Sequence, residues 1–355
     1  MLDFAVKKRY SKRVIIWFVH RNIVCGPADK YTRGTERWKR KTMTNRDMYE
    51  NQGLLKGMTW VGGIGIVAVM VMRLWLLPAA ADWQTGLFTS NYWVIALMLG
   101  ALAALLLMNY FSGPFRREIT GVPATVMALA ALLMGAVMVV TGGWNLLCMY
   151  GVVAGGSIPA IGPVLPTLEY VFCLLGGGAM VRLGLALLSE GGTRRGIAQW
   201  SILAPVLWTW FRLVGYEMSY ASMVRIEDNF FGFVMLIVEM LFLFRFARFA
   251  SGIGRVSAGS LMFHSMGTAL FAVSGPLVRL GMYLLQDHMA YDAYHLAGPL
   301  DAAVGIFALV VGIALLYGEE TVPAVVSSPD AEDVHQEDVS SSSTAEDLLW
   351  ESIEE

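Results

Sequence analysis

Long apolar runs separated by short polar connections dominate the residue pattern of this chain. An α-helix rises 1.5 Å per residue, so about 20 apolar residues are needed to cross the hydrocarbon core of a bilayer. Eight runs have about that length, and they predict an all-α polytopic integral membrane helix bundle with about eight transmembrane helices. The runs are residues 58–78, 91–111, 122–148, 164–188, 197–217, 229–249, 259–285 and 299–317.

Proline and glycine mark the places where these helices are expected to break. Residues 151–166, between the third and fourth runs, hold seven Gly and Pro residues, which predicts an outer loop or a short re-entrant segment. Pro205 and Pro276 lie inside the fifth and seventh runs and predict kinks there, since proline removes a backbone hydrogen bond.

Composition agrees with a lipid environment. The chain has 355 residues, of which 56% are hydrophobic and 15% charged, against about 25% charged in a soluble domain. The three cysteines share no metal-ligand spacing, so neither a disulfide framework nor a zinc site is expected. No cofactor is expected, and the predicted partner of the apolar surface is a lipid bilayer.

Basic residues are distributed asymmetrically, which predicts the orientation of the chain. Of the 26 Lys and Arg residues, 14 lie in residues 1–57. If the N-terminus is inside, the three inner connections carry further arginines, whereas Arg225 is the only Lys or Arg residue in the outer connections. The positive-inside rule therefore predicts that both termini are cytoplasmic. The inner arginines are Arg116, Arg117, Arg194, Arg195, Arg245, Arg248 and Arg255.

The N-terminal segment, residues 1–57, is predicted to be a basic cytoplasmic segment. Its apolar stretch is interrupted by His20 and Arg21, so no secretory signal peptide is expected. Met43 or Met48 would serve equally well as a start, so residues 1–42 represent either a misassigned start or a basic arm that attracts anionic lipid headgroups. No nucleic-acid partner is expected.

The C-terminal segment, residues 318–355, is predicted to be a disordered acidic tail. Residues 319–355 contain 12 acidic residues and no Lys or Arg. Leu349, Trp350 and Ile353 would form a small apolar face if the end of the tail became helical. The face suggests either docking of a cytoplasmic protein partner or a frayed, solubilising end. Residues 58–317 remain as the transmembrane domain.

Glu239 is the first candidate functional residue because it lies near the middle of the sixth run. A carboxylate at membrane depth is costly and marks a candidate site. Glu239 therefore suggests a proton-binding or ion-binding step. The structural alternative is a protonated or arginine-paired carboxylate that only sets helix packing.

Five further ionisable residues fall in the predicted outer third of the membrane, on separate helices. They could line an outward-facing polar cavity, or they could form interhelical ion pairs and snorkel to the interface. The five residues are Arg73, Glu169, Arg212, Arg279 and Asp301.

No catalytic motif emerges from the sequence. The chain lacks HExxH, GxxxxGK[ST] and GxSxG, so no catalytic residue is predicted and an enzymatic role is not favoured. His288, Asp292 and His295 have helical spacing, but without a fourth ligand they predict no metal site.

Short stretches of the fifth and sixth runs carry a resemblance to a protein group. Residues 205–208 (PVLW), 211–213 (FRL) and 244–249 (FRFARF) resemble a group of uncharacterised multi-pass membrane proteins of anaerobic bacteria. The resemblance implies a bacterial cytoplasmic membrane and implies no mechanism.

Two functions are consistent with the sequence. The first is a transporter or channel-like protein for a small solute or ion, with Arg73, Arg212 and Arg279 lining an outer vestibule and Glu239 binding a proton or cation. The second is a non-catalytic membrane sensor or scaffold subunit that docks a cytoplasmic partner through its acidic tail. A water-accessible path to Glu239 would distinguish the first from the second.

Overall fold

A computed structural model gives the fold of this chain. It describes residues 45–82, 87–88, 92–112, 117–151, 163–189, 201–220, 226–252, 256–285 and 298–320. The chain divides into two compact units, residues 1–53 and 54–355. Residues 45–53 of the first unit begin the first helix, and all the other helices belong to the second unit.

The described residues form eight α-helices, and each coincides with one of the predicted apolar runs. Six of them, α1 to α4, α7 and α8, are long and apolar enough to cross a membrane. The chain is therefore a helical membrane bundle. The helices are α1 (Asn45–Ala80), α2 (Tyr92–Phe111), α3 (Gly121–Met149), α4 (Val164–Ser189), α5 (Ala204–Tyr220), α6 (Ile226–Ala250), α7 (Ala258–Leu285) and α8 (Pro299–Tyr317).

Two helices begin at places that differ from the prediction. Helix α1 begins at Asn45, so the predicted boundary between residues 57 and 58 falls inside a helix. No proline interrupts this polar start, so the backbone hydrogen bonds continue beyond the apolar residues. Helix α5 begins at Ala204, after a 3-10 turn at Ser201–Leu203.

The two prolines occupy different positions in their helices. Pro205 is the second residue of α5, a position where its missing N–H costs no helical hydrogen bond. The predicted kink inside the fifth run is therefore wrong. Pro276 does lie inside a helix, but α7 continues through it from Ala258 to Leu285. The predicted re-entrant segment falls mostly on residues 152–162, outside the described residues.

Small residues let α3 and α4 approach to backbone contact. A Cβ atom at Gly177 would lie 2.8 Å from the carbonyl oxygen of Gly135, and one at Gly184 would lie 2.8 Å from that of Ala128. Later residues of α4 face earlier residues of α3, so the two helices are antiparallel. This close packing is typical of helix pairs in membranes, where contact between helices replaces the hydrophobic effect.

The contacts of the other helix pairs give their directions in the same way. Gly305 of α8 faces Ala272 of α7, and Ser265 of α7 donates a hydrogen bond to the carbonyl oxygen of Ala308 in α8, so α7 and α8 are antiparallel. Gly62 and Gly65 of α1 face two residues of α7 that follow one another in the same order along the chain. These two helices are therefore parallel. Together the described contacts indicate that the helices alternate in direction from α1 to α8.

The lipid-facing surface is apolar and carries aromatic side chains near the helix ends. Helix α1 exposes one stripe, formed by Trp60, Ile64, Val67, Val71 and Trp75. Aromatic residues near helix ends are typical of the two interfaces of a bilayer. Further exposed aromatic side chains near helix ends are Trp93, Tyr110, Phe111, Tyr150 and Tyr317.

Two short strands join the C-terminal end of α8 to the connection before α3. Strand β3 (Arg117–Glu118) pairs with β4 (Glu319–Glu320) in antiparallel register; a second ladder pairs β1 (Ala81–Asp82) with β2 (Leu87–Phe88). Arg117 is buried, and its guanidinium donates hydrogen bonds of 3.1 and 2.7 Å to the carbonyl oxygens of Leu315 and Leu316. It thus caps the negative end of α8.

Candidate functional site

A bidentate ion pair between α5 and α8 forms the centre of the candidate site. Both terminal nitrogens of Arg212 donate to the carboxylate of Asp301, with a distance of 2.9 Å from Nη2 to Oδ2. Asp301 is fully buried, and the side chain of Arg212 is 22% exposed. Paired donors in a fixed fork make this one of the strongest polar interactions available to a protein.

The start of α8 holds Asp301 in place. The backbone N–H of Gly298 donates a 2.7 Å hydrogen bond to Oδ2 of Asp301, three residues later, which is one half of a capping box. A carboxylate in the first turn also interacts favourably with the positive end of the helix dipole. Asp301 therefore has three described donors, and its negative charge is well compensated.

Glu239 of α6 has a very different environment. Its side chain is fully buried, and neither carboxylate oxygen has a hydrogen-bond partner among the described residues. The carboxyl group interacts electrostatically with Asp301 and Arg212. A buried carboxylate without donors costs several kcal/mol, whereas a neutral carboxyl group costs less. Glu239 is thus the least satisfied polar group of the site.

Glu169 of α4 is the fourth member of the site. It interacts electrostatically with Arg212 and Asp301, and a Cβ atom at Gly215 would lie 4.0 Å from its Oε2 atom. Arg212 therefore has three carboxyl groups within electrostatic reach. We call Glu169, Arg212, Glu239 and Asp301 the polar cluster. With every group ionised, the cluster would carry two more negative than positive charges.

The packing of α4 on α5 places Glu169 and Arg212 at one level. Gly176 of α4 packs against Pro205 of α5. Glu169 precedes Gly176 by seven residues, and Arg212 follows Pro205 by seven, so in antiparallel helices the two side chains meet two turns from that contact.

The packing of α6 on its neighbours brings Glu239 to a similar level. Tyr216 of α5 contacts Gly232 of α6, and Arg212 lies one turn from Tyr216 in the direction of Glu239. On the other side of α6, the ring of Phe246 lies 5.0 Å from that of Phe307 in α8. The sequence predicted Glu239 at mid-membrane and five other residues in the outer third, and the structure joins Glu239 with three of those five in one cluster.

Apolar and aromatic residues surround the cluster and keep the local dielectric low. The guanidinium carbon of Arg212 lies 5.6 Å from the ring centroid of Trp208, a fully buried side chain one turn earlier in α5. Met235 and Leu236 of α6, both buried, flank Glu239 on its own helix. Electrostatic interactions are stronger in such surroundings than in water.

Of the remaining predicted site residues, Arg73 is the one whose side chain the structure describes. Arg73 is buried, and its guanidinium carbon lies 5.2 Å above the ring of Phe231 in α6. Arg279 belongs to α7, but its side chain lies outside the described residues. The tail residues Leu349, Trp350 and Ile353 also lie outside them, as do His288, Asp292 and His295.

Sequence reasoning missed two contributors to the site. Trp208 precedes Arg212 by four residues, a spacing that indicates contact on one helix face. Gly298 precedes Pro299 and lies three residues before Asp301, a pattern that marks a helix start with an acidic N3 residue. Both signals were present in the sequence.

Within the described part of the chain, no group of three His, Cys, Asp or Glu side chains is arranged to hold a metal ion. The chain matches no protein-family model, no curated protein and no solved structure.

Proposed function

We propose that this protein is a transporter or channel-like protein for a small solute or ion, and that the polar cluster is its ion site. One observation carries the proposal: Glu239 is fully buried without a hydrogen-bond partner among the described residues, beside an ion pair contributed by two other helices. Ionisable groups buried in membrane helices are costly and typically mark the path of an ion or proton.

A purely structural role accounts for part of the cluster. The pair between Arg212 and Asp301 holds α5 against α8, and packing alone would justify it. Packing does not explain why Glu239 and Glu169 also interact electrostatically with the guanidinium of Arg212. A leucine or glutamine at position 239 would pack against Met235 and Leu236 without the cost of a buried acid. The excess acid therefore supports a binding role.

We further propose eight membrane crossings with both termini in the cytoplasm of a bacterial cell. The alternating directions of the described helices and the surplus of arginine in the predicted inner connections support this topology. It includes α5 and α6 as membrane-spanning helices, so the polar cluster would lie within the bilayer.

Thiol accessibility in intact cells tests the proposed path. In a background with Cys25, Cys148 and Cys173 replaced, single cysteines are introduced by Glu169→Cys and Glu239→Cys and probed from outside with a small membrane-impermeant reagent. We expect labelling at both positions, faster at Glu169 because its side chain is partly exposed.

Two matched controls make the result interpretable. Leu236→Cys lies one turn from Glu239 in an equally buried position, and Trp144→Cys faces outward from the bundle. Both should stay unlabelled. Labelling of Ser157→Cys, in the predicted outer loop, with none at Glu169 or Glu239 would contradict a transport path. A tail truncated after Tyr317 that abolishes the cellular function would then favour the sensor or scaffold role.

A further inference from the structure

We propose that the ligand of Glu239 is a proton, and that its release transfers Arg212 from Asp301 to Glu239. The inference rests on the proposed function and names the ion that the polar cluster binds. It also assigns a conformational role to the pair between Arg212 and Asp301.

The surroundings of Glu239 favour a proton over a metal cation. A hard cation such as Mg²⁺ or Ca²⁺ needs about six or more oxygen ligands in its coordination shell. Asp301 already directs both of its oxygens at donors, and the described residues provide no group suited to a metal. The side chains beside Glu239 on α6, Met235 and Leu236, are apolar. A proton needs no ligand other than the carboxyl group itself.

The charged groups around Glu239 come from three neighbouring helices. Helix α5 contributes Arg212, α8 contributes Asp301, and α4 contributes Glu169, which shares Arg212. Helix α7 also packs on α6, and its titratable described side chain, His264, makes a 2.6 Å hydrogen bond between Nδ1 and the carbonyl oxygen of Ser260. On α6 itself, Arg245 follows Glu239 by six residues. Helix α1 packs on α6 at Phe231, where the guanidinium carbon of Arg73 lies 5.2 Å from the ring centroid. Of these cations, Arg212 is the one that interacts electrostatically with Glu239.

Loss of the proton creates competition for Arg212. The neutral carboxyl group releases its proton to water that enters the path, and the buried carboxylate that remains interacts electrostatically with the guanidinium. If Arg212 turns away, Asp301 keeps one of its three described donors, the backbone N–H of Gly298. Glu239 has no other donor among the described residues. The asymmetry in donors favours transfer of Arg212 to Glu239.

The transfer would change how α8 is held. In the described state, Arg212 ties the first turn of α8 to α5. When Arg212 pairs with Glu239 instead, its side chain connects α5 to α6. The first turn of α8 then loses its ion pair with α5. A proton on Glu239 and the position of α8 are thereby linked, as coupled transport requires.

Infrared spectroscopy of the full chain in liposomes tests the proposal directly. A neutral carboxylic acid gives a C=O stretching band that an ionised carboxylate lacks. We expect such a band at neutral pH and its loss as the pH is raised. It should be absent from Glu239→Gln and retained in Glu169→Gln, the matched control. A band that Glu239→Gln leaves unchanged would overturn the assignment.

The transfer of Arg212 has its own test. In Asp301→Asn, Arg212 loses its charged partner, so we expect it to pair with Glu239 and the neutral-acid band to disappear at neutral pH. The double variant Asp301→Asn with Arg212→Met should restore the band. Persistence of the band in Asp301→Asn would overturn the transfer. In Arg212→Met alone the band should persist to a higher pH than in the unsubstituted chain, because the cation that would pair with the carboxylate is gone; loss of the band at the same pH in both would also overturn the transfer.

Metal ions distinguish failure of this inference from failure of the proposed function. Addition of Na⁺, K⁺ or Mg²⁺ at constant pH should leave the Glu239 band unchanged. Loss of the band on addition of one of these ions would overturn the proton assignment while preserving an ion site. Absence of thiol labelling at Glu169 and Glu239 would instead contradict the proposed function.

Discussion

At the scale of single residues, two buried carboxyl groups of the same cluster have opposite surroundings. Asp301 accepts hydrogen bonds from Arg212 and from the backbone of Gly298, and Glu239 accepts none from the described residues. Breaking a buried pair by removing one partner leaves the other charge uncompensated, whereas neutralising an unpaired acid removes a cost. The free energy of unfolding should therefore respond very differently to changes at the two positions.

The first prediction compares Arg212→Met with Glu239→Gln. Arg212→Met should lower the free energy of unfolding by about 3–5 kcal/mol, because Asp301 remains buried without its partner. Glu239→Gln should change it by less than about 1 kcal/mol, since no described hydrogen bond is lost. Equilibrium unfolding in mixed detergent micelles measures both. Equal effects of the two substitutions would contradict the different roles assigned to these residues.

At the scale of helices, close contacts rather than hydrophobicity decide which elements pair. Both faces of a membrane helix meet apolar surroundings, so the choice of neighbour depends on how near two backbones can come. Gly135 and Gly177 give α3 and α4 such a contact, and the neighbouring Gly178 faces no atom within 4 Å. Adjacent glycines of α4 thus provide a test of this principle.

We expect Gly177→Ala to destabilise the protein and Gly178→Ala to stabilise it. The new methyl group at residue 177 would lie 2.8 Å from a backbone oxygen of α3 and would force the helices apart, at a cost of about 1–3 kcal/mol. At residue 178 alanine meets open space and improves helix propensity by about 0.5–1 kcal/mol. Thermal unfolding of the two purified variants measures the difference. Equal melting temperatures would argue against the contact.

A third prediction concerns the C-terminal end of α8. Arg117→Met removes two hydrogen bonds to the carbonyl oxygens of the last turn, and we expect a loss of about 2–3 kcal/mol. Amide hydrogen exchange should rise in β4 and in the last turn of α8, while α4 keeps its protection. Unchanged exchange near Tyr317 would show that the strand ladder alone holds this end.

At the scale of the whole molecule, the described contacts join helices from distant parts of the chain. Helix α7 contacts α1, α2, α6 and α8, and it contains many of the fully buried residues. Helices α1 and α2 expose much more of their surface. The polar cluster lies among α4, α5, α6 and α8. None of its described contacts involves the exposed stripe of α1.

The proposed topology predicts which connections face each side of the membrane. In the cysteine-free background, Ser157→Cys and Ser222→Cys should react with an impermeant reagent in intact cells, whereas Ser189→Cys and Ser251→Cys should react only after permeabilisation. The positive-inside rule gives the reason, because the inner connections carry the arginines. Labelling of Ser189→Cys in intact cells would contradict the eight-crossing topology.

The sequence by itself determined the helices of this protein. Apolar runs predicted α2 as 91–111, and the structure has Tyr92–Phe111; α8 was predicted as 299–317, and the structure has Pro299–Tyr317. The physical reason is that a membrane helix satisfies its backbone within its own segment and needs a fixed length of apolar residues. The start of α1 and the position of Pro205 were not predicted, because hydropathy reports the apolar stretch and not the backbone hydrogen bonds beyond it.

Only the tertiary structure decided how the ionisable residues are combined. The sequence identified all four members of the polar cluster as candidates, but it could not pair Arg212 with Asp301, which lie 89 residues apart. Nor could it distinguish the satisfied Asp301 from the unsatisfied Glu239. Each helix contributes one group to the cluster, and their distances depend on the register between helices. That register is determined by contacts such as Gly176 with Pro205, which belong to pairs of helices and to no single stretch of sequence.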